Sequence, residues 1–383
     1  MIKGVVAKNV YRLRKVAGLN QNDLAKLSGI SRPAYVAIEK GQTDPRSETI
    51  HRIANALHVP ISELFAHIPE LKSVRFRMSK ITGQKKKIRE QEIIKIARWL
   101  RNYNFLEELL GEEKEYMLSD IRSKDPQRAA EKVRQKLGIE GDEPIADITE
   151  VINDAGIKLH YNNLSIDNFF GLSIGREEGG PAISVNVAEN ISIERQIFTA
   201  AHEMGHLILH KESFNGELLE DDESEEREAN IFASYFLMPE KAFKEEVARN
   251  RGLHWVDMVL TVKRFFKVSY RTVLMRLIDD GMADRNIYMN FAITMKSMYD
   301  ISLKGHFEPD ALTSYNEASA MQEPEGNRKT EMKSNRLFTL VRKAVERELI
   351  TLSRAAEILE LSLEDMRDLA NSWKVINWDG LKI

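Results

Sequence analysis

The sequence contains no cysteine among its 383 residues. Thiolate metal ligands and disulfides are therefore excluded, and this absence fits the reducing cytosol. The N-terminus also lacks the apolar core of a signal peptide, and no run of about 18 apolar residues is present, so no membrane span is expected. We expect a cytoplasmic protein that has no membrane partner.

A large net charge is lacking too. The formal charge is −3, from 56 basic and 59 acidic residues, but it is unevenly distributed, since residues 1–66 carry ten Lys or Arg against five Asp or Glu. A hydrophobic content of 43% and a charged content of 30% fit a globular protein. The length allows two or three domains.

The most informative segment is residues 198–210, Phe-Thr-Ala-Ala-His-Glu-Met-Gly-His-Leu-Ile-Leu-His. Residues four apart share a helix face, so His202 and His206 can reach one metal ion. Glu203 lies about 100° around the helix, where it can hold and deprotonate a water at the ion. We therefore predict two metal ligands and a catalytic base. The alternative is an ordinary helix that carries a hydrogen-bonded histidine pair.

A third ligand must come from another segment, because His210 lies about 12 Å along the helix axis from His202. A carboxylate is the natural choice in a chain without thiols. Residues 225–239 follow as a predicted helix with a buried apolar stripe.

In that helix we predict Glu226 as the ligand and Asn230, one turn later, as the partner that orients a ligand histidine. Glu228 is the alternative ligand. Two histidines and one glutamate predict a Zn²⁺ site with an open position, and Mn²⁺ or another divalent metal is the alternative ion. The neighbouring acidic run, 217–228, is either a solvated loop or a surface that favours basic peptides.

The stretch from about residue 145 to 277 resembles the ImmA/IrrE family of metallopeptidases. The resemblance is carried by the histidine segment, by Glu226-x-Glu-Ala-Asn-x-Phe-Ala and by Phe236-Leu-Met-Pro. It implies a zincin-like fold, with the family's ligands at His202, His206 and Glu226. The family's base falls on Glu203. Family members are associated with the cleavage of repressor proteins, so a repressor or another protein is the implied substrate.

Residues 5–65 have the rhythm of short helices separated by turns, and they predict a compact five-helix unit. Ser31 suits a helix N-cap and Gly41 suits a helix end. The pattern of Leu19-Asn-Gln, Gly29-Ile-Ser-Arg and Ile38-Glu-x-Gly resembles the phage-repressor (Cro/cI, XRE) helix-turn-helix family. The resemblance implies a DNA-binding domain.

In such a module the second helix of the motif enters the major groove, and dimers bind palindromic sites. We therefore expect Ser31, Arg32, Ala34 and Tyr35 to lie near the bases, with Arg32 bidentate to guanine. Gln21 is expected to contact phosphate. The predicted partners are a double-stranded DNA operator and a second copy of the chain in a homodimer.

The fold class predicted is mainly α with a small β-sheet (α+β). Strands are expected at 156–161, 169–175 and 182–187, with a hairpin turn at 178–181. A strand edge beside the metal helix could hold an extended peptide. We predict four segments: a helix-turn-helix domain at 1–67, a basic linker with helices at 68–144, the metallopeptidase domain at 145–300, and a polar linker with a helical C-terminal region at 301–383.

The predicted function is a DNA-binding transcriptional regulator that carries a zinc-dependent endopeptidase domain for a protein partner. The alternative is a non-proteolytic transcription factor or toxin–antitoxin regulator. In that alternative, the peptidase-like domain senses a ligand or binds a partner. The basic linker is interpreted as a solvated helix, with extra DNA-backbone contact as its alternative.

Overall fold

The computed structural model describes these parts of the chain: residues 2–66, 71, 75–76, 84–139, 142–164, 169–214, 222–305, 307–310 and 336–373. The chain divides into two compact units, of which the first is 1–71 with 80–101 and the second is 72–79 with 102–383. The segment boundaries expected at residues 67, 144 and 300 stay predictions.

The first unit starts with five short helices. They are α1 (Ile2–Val16), α2 (Gln21–Leu27), α3 (Arg32–Glu39), α4 (Ser47–Ala56) and α5 (Ile61–Phe65). Asn20 caps α2 and Ser31 caps α3, because each side chain accepts a hydrogen bond from the backbone N–H three residues later. Gly29 then takes a φ of +64°, which reverses the chain between these two helices without strain. The expected five-helix unit is confirmed.

Each of these five helices contributes a fully buried side chain to one core. They are Val10, Leu24, Tyr35, Ile53 and Leu64. The amide of Asn9 donates to the carbonyls of Leu64 and Ala66, at 2.9 and 2.8 Å, and so ties the end of α5 to α1. The first unit therefore has its own hydrophobic core.

A long helix, α6 (Gln84–Leu110), begins in the first unit and continues in the second. Ile96, Ala97 and Leu100 are buried along it, so the segment interpreted as a solvated helix packs through one apolar face. Arg101 donates to Glu63 at 3.0 Å within the first unit. The helical part of the basic linker is thus packed along this face.

The second unit contains the sheet and the other described helices. These helices are α7 (Pro126–Lys136), α8 (Ile148–Asp154), α9 (Ile193–Leu209), α10 (Glu223–Leu237), α11 (Glu240–Arg249), α12 (Trp255–Phe266), α13 (Tyr270–Asp279), α14 (Ile287–Tyr299), α15 (Arg336–Glu346), α16 (Leu352–Leu359) and α17 (Leu363–Ser372). The strands are β1 (Arg75–Phe76), β2 (Lys158–Asn162), β3 (Gly171–Ile174) and β4 (Ala182–Asn186). The prediction of a mainly α protein with a small sheet is confirmed.

The sheet has the order β1-β3-β4-β2. β2 runs parallel to β4, whereas β3 is antiparallel to both β4 and β1. A short 3-10 helix, Arg176–Glu178, and a turn connect β3 to β4, so the expected hairpin at 178–181 is confirmed. β1 was not expected from the sequence.

Helix α9, which carries the histidine segment, lies in the centre of the second unit. The sheet packs on one of its sides and α10 on another. The close approach of α10 depends on Gly205, because a Cβ there would come within 2.9 Å of the Phe232 ring. As a result, α9 and α10 hold their polar side chains at short distances.

The C-terminal helices α16 and α17 begin at capping residues of the same kind as α2 and α3. Thr351 caps α16 and Ser362 caps α17. Arg354 donates to Asn102 of α6 at 2.9 Å, so this region packs within the second unit. Most of the expected polar linker, 311–335, lies outside the described residues, as do 217–221 of the acidic run. Over the described part of the chain, every helix is too short or too polar to cross a bilayer.

Candidate metal centre and helix-turn-helix surface

His202 and His206 lie one turn apart on α9, and their Nε2 atoms are 3.0 Å from each other. Both side chains are buried, with 1% and 2% of their surface exposed. Such a pair needs at least one unprotonated nitrogen, because two N–H groups would repel each other at this distance. The two nitrogens lie close enough to bind one ion once both are unprotonated.

Glu226 enters the same place from the first turn of α10. Its carboxylate oxygens lie 3.5 Å from the Nε2 of His202 and 3.2 Å from the Nε2 of His206. Over the described ranges, this is the one group of three His, Asp or Glu side chains whose donor atoms converge closely enough for an ion. The structure thus brings together the three side chains that the sequence analysis predicts as metal ligands.

The separations within this cluster suit a small divalent cation. Nitrogen and oxygen atoms that bind one tetrahedral zinc at about 2.0–2.1 Å lie roughly 3.4 Å from one another. The separations of 3.0, 3.2 and 3.5 Å between the donor atoms are close to that value. Two imidazoles and one carboxylate are also the donor types that zinc accepts while a coordination position stays open. The residues present therefore fit a zinc-type site.

The Glu226 carboxyl group is held in its charged form. Burial by itself would raise the pKa of Glu226, but hydrogen bonds from His202 and His206, when these rings carry a proton on Nε2, outweigh it and hold that pKa well below its usual range. An ionised carboxylate is the form that binds a metal. The local electrostatics thus agree with the geometry.

Asn230 fixes the orientation of His202. Its side-chain oxygen lies 3.0 Å from the Nδ1 of His202. An amide oxygen only accepts, so Nδ1 carries the proton and Nε2 presents its lone pair toward the cluster. The structure therefore places Asn230 where the sequence spacing predicts it.

His206 has a different support, which the sequence did not reveal. Its Nδ1 lies 3.0 Å from the Nδ1 of His210, and the Nε2 of His210 lies 3.0 Å from a carboxylate oxygen of Glu228. Glu228 therefore pairs with His210 at the far side of His206 and is separate from the converging group. The spacing of four residues between His206 and His210 was the available signal, but the partner of His210 depends on the placement of α10.

Glu203 follows His202 on α9 and is 97% buried, with 3% of its surface exposed. The backbone of β3 lies directly beside it, because a Cβ added at Gly171 would be 3.2 Å from the Glu203 Cγ. Two tyrosines of this unit, Tyr161 and Tyr235, have contacts away from Glu203. Tyr161 shares a hydrogen bond with Thr149, and the Tyr235 ring packs under Arg276.

In the first unit, the start of α3 presents an exposed surface. Ser31, Arg32 and Ala34 are all exposed there. The Ser31 hydroxyl also accepts a hydrogen bond from the Ala34 N–H at 3.4 Å. Their accessibility agrees with a role at base edges, and that role stays a prediction.

The expectation that Tyr35 lies near the bases is wrong. Tyr35 is fully buried in the core, and its hydroxyl donates to Glu39 at 2.5 Å. Burial and this hydrogen bond raise the pKa of Tyr35. Residue 35 points inward because the apolar face of α3 must cover the core formed with its neighbouring helices.

Gln21 also has an internal partner, since its amide donates to Glu39 at 3.0 Å. Arg14 binds the same carboxylate with two nitrogens, at 2.8 and 2.7 Å. Burial would raise the pKa of Glu39, but hydrogen bonds from Arg14, Tyr35 and Gln21 lower it overall. The phosphate contact expected of Gln21 stays a prediction.

Two family models match the chain, at separate ranges. Residues 10–64 match the helix-turn-helix family, and residues 153–278 match the IrrE N-terminal-like domain, a peptidase family. The first range includes α2 and α3 with the turn between them. The second includes the converging histidines and glutamate.

Similar curated proteins are regulators. The cryptic phage CTXphi transcriptional repressor RstR of Vibrio cholerae is 36% identical over 58 residues, which are 15% of this chain and 52% of that protein. The HTH-type transcriptional regulator MJ0272 of Methanocaldococcus jannaschii is 41% identical over 54 residues, which are 14% of this chain and 82% of that protein. YqaE of Bacillus subtilis, also an HTH-type transcriptional regulator, is 38% identical over 58 residues, covering 15% of this chain and 50% of that protein. The chain thus spans about half the length of RstR and YqaE.

A helix-turn-helix unit together with a separate two-histidine, one-glutamate cluster defines a regulator with a metallopeptidase-type domain. The chain belongs to the HTH-type transcriptional regulators of the XRE class, and it carries an IrrE N-terminal-like domain.

Proposed function

We propose that the second unit is a zinc-dependent endopeptidase that cleaves a protein partner such as a repressor. The observation that carries this proposal is the convergence of His202, His206 and Glu226, with the buried Glu203 next to His202 on α9. The match to the IrrE N-terminal-like domain supports the same chemistry.

In this proposal, His202, His206 and Glu226 hold the metal. The donor set favours Zn²⁺, and Mn²⁺ or another divalent metal is the alternative. A bound ion of this kind acidifies water and polarises the carbonyl of the scissile peptide bond. Glu203 acts as the general base: its carboxylate takes a proton from the attacking water and passes it to the nitrogen of the leaving amine.

The residues behind the ligands set the orientation of the imidazole rings. Asn230 accepts the Nδ1 proton of His202, so Nε2 of that ring faces the cluster. The Glu228 carboxylate accepts the Nε2 proton of His210, and His210 then accepts the Nδ1 proton of His206. Both ligand rings are thereby held in the tautomer that a metal requires.

The first unit is proposed to bind a double-stranded DNA operator in the cytoplasm, as a homodimer. Ser31, Arg32 and Ala34 lie exposed at the start of α3, which is the part of the motif that reads bases. Ten basic against five acidic residues in 1–66 supply charge for phosphate neutralisation. RstR, which this segment resembles, is named a transcriptional repressor.

The decisive experiment compares the zinc-loaded full chain with its Glu203→Gln variant. Fluorescein-labelled casein is one substrate, and a purified helix-turn-helix repressor is the other. We expect Glu203→Gln to lower the rate of hydrolysis by about 10²–10⁴-fold, the contribution of a general base. Metal content should stay equal to that of the wild type. Equal rates for the two proteins would refute the assigned base.

A further inference from the structure

The edge of the sheet beside the proposed base is occupied by a strand from the same chain. At the start of β3, Gly171 lies so close to α9 that an added Cβ would be 2.5 Å from the Thr199 methyl group and 3.2 Å from the Glu203 Cγ. β4 pairs with one side of β3, and β1 pairs with the other. β1 therefore covers the edge that would otherwise be open for strand addition.

The direction of β1 is the direction that a bound peptide would take. Arg75 lies opposite Ser173 and Phe76 opposite Leu172, in antiparallel register. From Arg75 to Phe76 the chain thus advances toward Gly171, the residue of β3 that lies against Glu203. An extended peptide that adds to this edge would use the same main-chain groups of β3 and approach the same glutamate.

We propose, resting on the peptidase function above, that Arg75–Phe76 is a built-in occupant of the substrate edge of β3. A substrate peptide must displace β1 before its scissile bond can reach Glu203. The peptidase is then restrained by its own strand β1.

The size of the contact fits a reversible restraint. Only two residues pair, so about one or two backbone hydrogen bonds hold β1, each of modest net strength. The tether to the same chain nonetheless gives the segment an effective concentration in roughly the millimolar range at the edge. A free peptide must therefore pair over a longer stretch of β3 to compete.

The test uses a double variant, Arg75→Pro/Phe76→Pro, in the zinc-loaded full chain. Proline has no backbone N–H, so two consecutive prolines remove the donor whichever residue faces β3. We expect casein hydrolysis to rise roughly tenfold, the factor for losing one or two such hydrogen bonds. The matched control, Arg75→Ala/Phe76→Ala, keeps both N–H groups and should stay near the wild-type rate.

Occupancy of the edge is measured separately by hydrogen exchange over 171–174. The proline variant should exchange faster there than the wild type. An added synthetic peptide with the sequence of residues 72–79 should restore the protection and inhibit the variant. This readout does not depend on catalysis.

The outcomes separate this inference from the proposed function. Equal exchange in the wild type and the proline variant, or no protection by the added peptide, would overturn the occupant role. Equal casein rates in the two proteins, or an alanine control as fast as the proline variant, would do the same. Cleavage of the chain within residues 72–83 would show a substrate in place of a restraint. No hydrolysis by any zinc-loaded variant would count against the peptidase itself.

Discussion

Each unit contains a buried polar network. In the first unit the side chains of the network pair with one carboxylate, whereas in the second unit the donor atoms of three side chains converge. In the first, Arg14, Tyr35 and Gln21 all bind the Glu39 carboxylate. In the second, His202 and His206 present nitrogen atoms toward each other and toward the Glu226 carboxylate.

The two networks differ in how their charged groups are paired. The Glu39 carboxylate is neutralised by the Arg14 guanidinium, so it is complete as a structural support. In the histidine cluster, two imidazoles and one carboxylate bring their donor atoms within 4.8 Å of one another, an arrangement that one metal ion could share. A buried polar cluster is therefore a candidate metal site when its electron-pair donors converge. A cluster whose opposite charges pair with one another, like that around Glu39, stabilises the fold.

Removing the Arg14–Glu39 ion pair should give the largest change in the free energy of unfolding. Arg14→Ala leaves the Glu39 carboxylate buried without its cation, so the first unit should lose about 3–5 kcal/mol of unfolding free energy. Denaturation with urea would measure this loss. Arg52→Ala is the matched control, because the Arg52–Glu48 pair is exposed and should contribute only about 0–1 kcal/mol. Equal losses for Arg14→Ala and Arg52→Ala would contradict the comparison.

The same network predicts a dependence on pH. The pKa of Glu39 is lower in the folded protein than its ordinary value of 4.5. A lowered folded pKa means that the stabilisation is present above the ordinary pKa and is lost as the pH falls below it. Arg14→Ala should therefore weaken the acid sensitivity of the first unit, which thermal melts between pH 7 and about pH 3 would detect.

Arg32→Ala should affect DNA binding without affecting stability. The side chain is exposed, and one bidentate contact to guanine corresponds to about 1–3 kcal/mol of discrimination. We expect specificity to relax at one base position in a selection over randomised operators. Arg32→Lys keeps the charge but lacks the planar fork, so it should lose the specificity and keep most of the non-specific affinity. An unchanged base preference for Arg32→Ala would reject the contact.

Tyr35→Phe should have the smallest effect. It removes one hydrogen bond to Glu39, so about 0.5–1.5 kcal/mol of stability should be lost. Operator affinity of the folded protein should not change, because the ring is buried. A large loss of affinity at unchanged stability would restore Tyr35 as a base contact.

Part of the candidate metal site could be predicted because the spacing within each of its two helices is local. The spacing of His202 and His206, and of Glu226 and Asn230, follows directly from the helical period. The inward position of Tyr35 could not be predicted in this way. It depends on which face of α3 the neighbouring helices cover.

Contacts between distant segments were the other gap. The pairing of His210 with Glu228 depends on how α10 packs against α9 through Gly205. β1 joins two residues to a strand almost a hundred positions later, and so short a segment has no reliable periodic signal. The predicted boundaries at residues 67, 144 and 300 also stay predictions, because local sequence patterns do not define where a domain ends.

The central claim is most directly tested by measuring bound zinc in the purified wild type, Glu226→Ala and Glu228→Ala. We predict about one zinc per wild-type chain, almost none for Glu226→Ala, and retained zinc for Glu228→Ala with affinity weakened about 10–100-fold. Loss of zinc from Glu228→Ala alone would reverse the ligand assignment. A wild-type chain that binds no metal after zinc is supplied would contradict the account, and it would favour a regulator whose peptidase-like domain serves as a sensor.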